Sequence, residues 1–437
     1  MTQQKNSRHT SIPPASQLSL DTIAACVGLD WGDTLHFGAL LPAGSKQIES
    51  FTVPQTPEAI DDWANALRER FGGRPVAVCL EQSRGPLIYA LLRFDFLILC
   101  PINPKQLARY RDAVRPSGSK DDPGDAAIIL DFLVKHPDRI RVWNPDRADV
   151  RLLGQLTEMR RTLVDQRVAL SNSLKSHLKH FFPQAIALFD DDITAAIACA
   201  FLKRWPTLDK LQRARPQTLR KFFYVHRCRS EQKLQARLEL IAAAKPLTTD
   251  PAVIEAHCLM AQALIAQLDS LRRPQATIEM RIGELMEQNE DAKLFQELPG
   301  AGVALAPRLL AAFGSDRERY QSADELACYC GEAPVTKQSG KMRIVHFRWS
   351  CPKFLRQTFH EFAWCSTRYC DWARAYYDMK KSQGKSHHQA VRALAVRWIR
   401  ILFRCWKTNR PYDETRYIES LKKRNSPCLN CLNTNAA

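Results

Sequence analysis

No apolar run in the 437-residue sequence approaches the roughly 18 residues that a membrane-spanning helix needs, so no membrane partner is predicted. The first twenty residues are polar and carry no apolar h-region, which excludes a signal peptide as their reading and predicts a disordered start. The 14 cysteines are scattered, and most, like Cys79 and Cys100, lie inside apolar segments, as reduced core thiols do. That usage predicts a reducing, cytoplasmic compartment. Cys428 and Cys431 make one CxxC without a second pair or spaced histidines, so no metal is expected there. Acid is scarce where base is dense: Lys337–Arg424 holds 21 Lys/Arg against 6 Asp/Glu.

What is present suits a folded protein with more than one core. Apolar residues make up 45% and charged residues 25%, in a chain long enough for two or three domains. The net charge of +17, concentrated toward the C-terminal part, predicts a polyanionic partner, nucleic acid before any other.

From Ala24 the pattern is strand-like, a hairpin with Asp30 closing its first strand. A third strand is predicted at Gln47–Val53 and a helix at Pro57–Phe71. The apolar run Pro75–Glu81 reads as a buried strand that delivers Glu81 to its C-terminal end. A helix (Pro86–Phe94), a strand (Phe96–Pro101) and a helix (Lys105–Val114) follow, and strands alternating with helices predict an α/β sheet.

Next comes Ser-Lys-Asp-Asp-Pro-Gly-Asp-Ala, residues 119–126. Asp122 stands where a helix should start, with Pro123 at the first helical position. Asp125 is three residues on, so both carboxylates should project from one face of the first turn. Carboxylates that close repel unless a cation sits between them. The plain alternative is an N-cap and a first-turn Asp favoured by the helix dipole. Together with Asp30 and Glu81 these acids suit a hard divalent ion such as Mg²⁺, with Mn²⁺ as its substitute.

Leucines and Phe181 recur at helical spacing from Leu153, and Leu264, Leu268, Leu271, Ile278, Ile282 and Leu285 follow a heptad-like rhythm interrupted by Pro274. This predicts a coiled-coil arm or a helical bundle, with a kink or two abutting helices at the proline. Lys203–Lys233 is basic with interleaved Trp205, Phe222, Phe223 and Tyr224, which suits either RNA or core aromatics beside solvated charge. Leu298-Pro-Gly300-Ala-Gly302 opens an apolar helix whose first N–H groups could meet a phosphate, a helix-hairpin-helix-like element. Ser339 lies in a polar, glycine-flanked loop among Lys337, Lys341 and Arg343; read alone, that is a Ser-Gly turn. In the last long helix Val391, Leu394, Trp398, Ile401 and Cys405 should face inward, leaving a basic stripe of Arg400, Arg404 and Lys407. Lys422–Arg424 and the polar residues beyond are expected to be disordered.

Gly28-Leu-Asp30, Leu80-Glu81, Ile102-Asn-Pro104 and Lys120-Asp-Asp122-Pro-Gly-Asp125-Ala126 resemble the DEDD transposases of bacterial insertion sequences. Leu298-Pro-Gly-Ala-Gly302, Gly331-x-Ala-Pro334 and Gln338-Ser339-Gly340 fall in the order of the same family's C-terminal domain, as do Gly384–Val391 and Lys407–Tyr412. The resemblance implies an α/β RNase H-like (RuvC-like) domain, a helical or coiled-coil middle, and a mainly α C-terminal domain. On it, Asp30, Glu81, Asp122 and Asp125 are the catalytic metal ligands, Asp121 being the nearer rival to Asp122, and Asp33 stands where the family often has a basic residue. Ser339 matches the nucleophilic serine. Nucleic acid is then expected at Lys120, Gly300, Gly302, Lys337, Lys341, Arg343, Arg400, Arg404 and Lys407. The organisation implied is a disordered 1–22, a RuvC-like 23–146, a helical linker 147–294, a serine-bearing transposase domain 295–415 and a basic, polar tail 416–437. The activity implied is Mg²⁺-assisted strand cleavage and exchange through a 5′-phosphoserine, on donor and target DNA, by dimers pairing into tetramers and guided by a non-coding bridge RNA. The rival expectation is a RuvC-like, Holliday-junction-type endonuclease that uses water, with Ser339 a turn residue.

Overall fold

The structure is a computed structural model that describes residues 18–81, 85–115, 122–190 and 192–428. The chain divides into two compact units. The first comprises 1–146 with two later returns, 316–326 and 335–351; the second comprises 147–315, 327–334 and 352–437.

The first unit is built on a five-stranded sheet. Its order is β3 (Glu49–Pro54), β2 (Leu35–Pro42), β1 (Ala25–Asp30), β4 (Val76–Leu80), β5 (Leu97–Pro101). The β1–β2 and β2–β3 pairs are antiparallel, and β1, β4 and β5 run parallel. Helix α1 (Pro57–Phe71) starts where the Thr56 hydroxyl accepts the Ala59 N–H, and it stops at Gly72, φ 60°. Helices α2 (Pro86–Leu91), α3 (Pro104–Val114) and α4 (Asp122–Lys135) complete the α/β part. Successive residues of β4 alternate between two cores. Val76, Val78 and Leu80 meet α1 and α2 through Ile60, Leu67, Leu87 and Leu91. Ala77 and Cys79 meet α3 and α4 through Leu107, Ile129 and Leu133. The described cysteines are all free, and burial pushes the Cys100 thiol up to about 12, as expected for reduced core thiols.

Helix α4 lies so close to β1 that the crossing point must be glycine. A Cβ on Gly28 would stand 2.3 Å from the Ala126 carbonyl oxygen and 2.4 Å from the Leu130 nitrogen. The returning segment 316–326 is tied to the same unit by ion pairs of Arg141 with Glu325 and of Arg319 with Asp146, the latter at 3.1 Å. The second return forms a two-stranded antiparallel hairpin, β6 (Val335–Ser339) and β7 (Met342–His346).

The second unit is helical. Its spine is α5 (Ala148–Phe181), and the chain then runs through α6 (Gln184–Ala187), α7 (Ala196–Arg204), α8 (Leu208–Gln212), α9 (Pro216–Val225) and α10 (Glu231–Ala243) into α11 (Pro251–Gln288). Contacts between Asp149 and Asn289, Arg160 and Glu279, and His177 and His257 show that α5 and α11 lie antiparallel along each other. The heptad-like rhythm is therefore satisfied within one chain, and α11 runs through Pro274 as one element where two abutting helices were an alternative. By length and composition α11 could cross a membrane, with an 18-residue window of mean hydropathy 1.3, contrary to the expectation of no such run. In the fold Leu264, Ile265 and Leu268 pack into a core with α7 and α9. That core also takes Trp205, Phe222 and Phe223, and the exposed Tyr224 hydroxyl donates to Glu231 at 3.3 Å. Three of the four aromatics that suited RNA are thus core residues.

The remainder comprises α12 (Ala292–Gln296), α13 (Gly302–Phe313), α14 (Ala323–Tyr329, whose last turn crosses into this unit), α15 (Lys353–Ser366), α16 (Asp371–Ser382), α17 (His387–Thr408) and α18 (Glu414–Lys423). Along α17 the buried row is Val391, Leu394, Ala395, Trp398, Ile399, Leu402 and Trp406, with Ile401 and Cys405 only half-buried. The expected row kept a 3.5-residue rhythm, whereas a straight helix at 3.6 drifts onto Leu402 and Trp406. Lys422 and Lys423 are helical where disorder was expected, because Leu421 is buried and Cys428 beyond them is sealed in, its thiol donating to the Trp372 carbonyl at 3.6 Å.

Candidate active site

The register of the parallel strands settles the first two acids. Leu29 pairs with Leu80, so Asp30 and Glu81, each one residue further on, stand at neighbouring positions on the same sheet edge. Parity settles their face. Ala25, Val27 and Leu29 point toward α1 and α2, so Asp30 falls on the opposite face, with Cys26 and Gly28. Glu81 continues the Ala77–Cys79 parity onto that same face. Both acids are half-buried.

Helix α4 covers this face, and the tight contact at Gly28 brings its first turn beside β1. The two acids of that turn have different surroundings. Asp122 is exposed, while Asp125 is only 2% exposed. Asp125 Oδ1 lies 2.9 Å from Arg111 Nε of α3, too far off line for a hydrogen bond, so charge attraction more than a directed bond compensates the buried carboxylate. Nothing in the spacing of the sequence flags Arg111; it arrives because α3 packs on α4. Asp33 is exposed in the β1–β2 turn. Lys120 and Asp121 lie outside the described residues.

Two carboxylates on one face of the sheet and two on the first turn of the helix that covers it are the right chemistry for a hard divalent cation. Among the described residues, however, no three His, Cys, Asp or Glu side chains converge tightly enough to hold an ion. Ion binding would require these carboxylates to be drawn together.

Ser339 ends β6, in a hairpin turned by Gly340 (φ 53°) and Lys341. Its partner across the ladder is Met342, and Lys337 pairs with Ile344, so Ser339, Lys337, Met342 and Ile344 share one face. Arg343 pairs with Gln338 and belongs to the other face, away from the serine it was expected to flank. Every residue from Thr336 to His346 is exposed. Far as it is from the acids in sequence, Ser339 belongs to the same compact unit as they do.

The remaining expected contacts lie in the second unit. Gly300 (φ 82°) is packed against α15, where a Cβ would meet the Cys365 carbonyl carbon at 2.9 Å, so packing fixes this turn. Gly302 (φ 53°) is exposed at the start of α13, beside Val303, 94% exposed. Arg400 and Arg404 are exposed; Lys407 is half-buried, its ammonium 5.8 Å from the centre of the Trp406 ring.

Sequence reasoning missed one buried group. Glu332 is 2% exposed, and neither carboxylate oxygen has a hydrogen-bond partner. Burial pushes it up to about 8 against the pull of Arg392 and Arg356. His360, whose Nδ1 is 3.9 Å away and whose Nε2 is 3.2 Å from His388, is pushed down to about 4, by burial and then by His388 and Arg392. At neutral pH both are uncharged, in a setting that the Gly331–Pro334 string does not reveal.

Two family models match the chain: a DEDD-type transposase model over residues 27–183, and the transposase IS116/IS110/IS902 family model over residues 292–378. A Streptomyces coelicolor protein named as the mini-circle transposase of IS117 is 27% identical over 405 residues, 91% of this chain and 97% of its own length. The 43.6 kDa protein of insertion element IS110, from the same organism, is 24% identical over 88% of this chain and 94% of its own. The pilin gene-inverting protein of Moraxella bovis is 32% identical over 33% of this chain and 46% of its own.

Proposed function

The chain belongs to the IS110/IS116 family of insertion-sequence transposases, and from that premise we propose that it cuts and exchanges DNA strands with Ser339 as nucleophile. The observation that carries this reading is the placement of Ser339 at the tip of an exposed hairpin, within the unit whose sheet edge carries Asp30 and Glu81. An exposed serine beside Lys337 can reach a backbone phosphate without rearranging a core. Its oxygen forms the bond to phosphorus as the bond to the 3′ oxygen breaks, and the serine proton passes by way of a carboxylate or water to that leaving oxygen, leaving a 5′-phosphoserine and a free 3′ hydroxyl. A 3′ hydroxyl from the partner DNA then takes the phosphorus and returns the serine.

Mg²⁺, held by Asp30, Glu81, Asp125 and Asp122, would neutralise phosphate charge when bound. The chain's own part is to supply oxygen donors from the ends of β1 and β4 and from the first turn of α4, and to keep Asp125 charge-balanced through Arg111. Lys337 and Lys341 would hold the phosphate backbone near the serine, and Arg343 a strand on the other face. Lys120, Gly302, Arg400, Arg404 and Lys407 would add backbone contacts, with Gly300 keeping the turn before Gly302 in place. A bridge RNA that chooses both DNAs fits so basic a chain. Assembly into dimers and tetramers is supported by α5 and α11, whose shared middle leaves Leu163, Leu170, Leu271 and Ile278 half-buried and Met159, Val168 and Met280 exposed.

The test is a covalent trap: Mg²⁺, RNA transcribed from the flanks of the gene, and labelled donor and target DNA, followed by denaturation. Label on the protein that is lost with Ser339→Ala and with Asp30→Asn supports the proposal. The second reading is a water-using endonuclease, favoured by the adjacency of Asp30 and Glu81, which needs no serine. Cleavage without adduct, untouched by Ser339→Ala, would establish that reading instead.

A further inference from the structure

One aromatic side chain beside the hairpin has no role in the scheme above. Trp349 lies three residues beyond β7 and is 76% exposed. Its indole is not loose: the Phe347 ring stands edge-on to it, 5.1 Å between centroids and 86° between planes. An indole so presented leaves a large flat apolar face in water, and surfaces of that kind mark contact sites. Charge decides what the contact is. From Val335 to Cys351 the chain carries Lys337, Lys341, Arg343 and Arg348, with His346, and no Asp or Glu. A protein partner would have to bring acid to such a patch, whereas a nucleic-acid strand brings phosphates and flat bases together.

We propose that Trp349 is a stacking platform for an unpaired base of the DNA strand on which Ser339 acts; this rests on the DNA-recombinase reading above. Inside a duplex both faces of a base are already covered by neighbours, so an indole stacks only where pairing has opened. Strand exchange needs such opening. The ladder pairs Val335 with His346 at one end and Ser339 with Met342 at the other. Four residue steps at about 3.3 Å separate those ends by roughly 13 Å. Trp349 follows the far end of that ladder by three residues, which on this proposal sets the stacked base apart from the phosphate that meets the serine, in DNA already opened around the cut. The hairpin would act on both features at once, backbone at its tip and base at its root.

The test is equilibrium binding in a Ser339→Ala background, where no adduct forms, using two DNAs of one sequence. One is fully paired and the other carries a short central mismatched bubble containing 2-aminopurine. Trp349→Ala should weaken bubble binding by about tenfold to a hundredfold, with an unchanged salt dependence and little effect on paired DNA. Trp349→Phe should stay near the parent and still quench 2-aminopurine, while Trp349→Leu should not. An equal loss on both DNAs, a Leu variant as good as Phe, or no loss with Ala would overturn the proposal. Because the side chain is exposed, unfolding temperatures of the variants should coincide. If one does not, the Phe against Leu comparison still decides. A missing adduct in the Ser339-bearing protein would refute the nucleophile and leave this result standing.

Discussion

The two β structures of the first unit are opposites. In the five-stranded sheet the residues of β4 alternate between two cores, every position of that strand is buried, and α4 presses onto β1 at a glycine. In the β6–β7 hairpin both faces are open, with Met342, Ile344 and Val345 from 40% to 61% exposed. Yet on the proposed reading each supplies half of one reaction. The sheet sets Asp30 and Glu81 side by side through the register of its buried strands. The hairpin holds a nucleophile with almost no packing, and a two-stranded ribbon alone is marginal in water. Charge that must sit in a fixed array belongs on the first kind of scaffold. A group that must follow a DNA strand belongs on the second, which gains its cover when the strand arrives.

The largest effect should come from the open half. Ser339→Ala should lower strand exchange by at least about a thousandfold, with an unfolding midpoint equal to the parent's, measured by calorimetry; a shifted midpoint would mean that the hairpin is part of the fold's stability. Next comes the packed half. Arg111→Ala leaves the Asp125 carboxylate buried without its cation, and about 3 kcal/mol of stability should be lost in urea unfolding. Adding Asp125→Asn should recover part of it.

A smaller effect separates Glu332 from the compensated Asp125. Glu332 binds its proton more tightly folded, near 8, than at its ordinary 4.5, so its contribution is complete below 4.5 and is lost as pH rises through 8. His360, lowered to about 4 from 6.5, contributes above 6.5 and loses that as pH falls through 4. The two slopes oppose each other below 6.5, so between pH 6.5 and 8 Glu332 should act alone. There the parent should lose about 2 kcal/mol more than Glu332→Gln does; parallel curves would show that the carboxyl finds solvent. Smallest of all, Met342→Ser and Ile344→Thr should each change stability by less than about 0.5 kcal/mol, because both side chains are exposed and neither belongs to a core, while weakening DNA binding.

The same contrast explains what could be read in the sequence. Helix α1 falls on Pro57–Phe71 as expected because Thr56, Pro57 and Gly72 punctuate it. The strands ending in Asp30 and before Glu81 were legible because burial on both faces writes near-continuous apolar runs. The hairpin was read as a loop: with neither face buried, Val-Thr-Lys-Gln-Ser carries no period to find. Arg111 was invisible for a different reason, since its pairing with Asp125 depends on how α3 crosses α4 and not on spacing. The side of the hairpin on which Arg343 stands could not be read without a register, which only the ladder provides.

That register makes the hairpin a counting device. Side chains change sides at every residue, so the face on which the Ser339 oxygen emerges depends on whether the number of residues between it and the root of the hairpin is odd or even. One residue inserted between Lys337 and Ser339 would hand the hydroxyl from the side of Lys337 to the side of Arg343, leaving composition, charge and exposure almost unchanged. Two would hand it back. A lineage of such proteins that keeps the serine can therefore vary the residues around it, but can lengthen the strand that leads to it only in even steps.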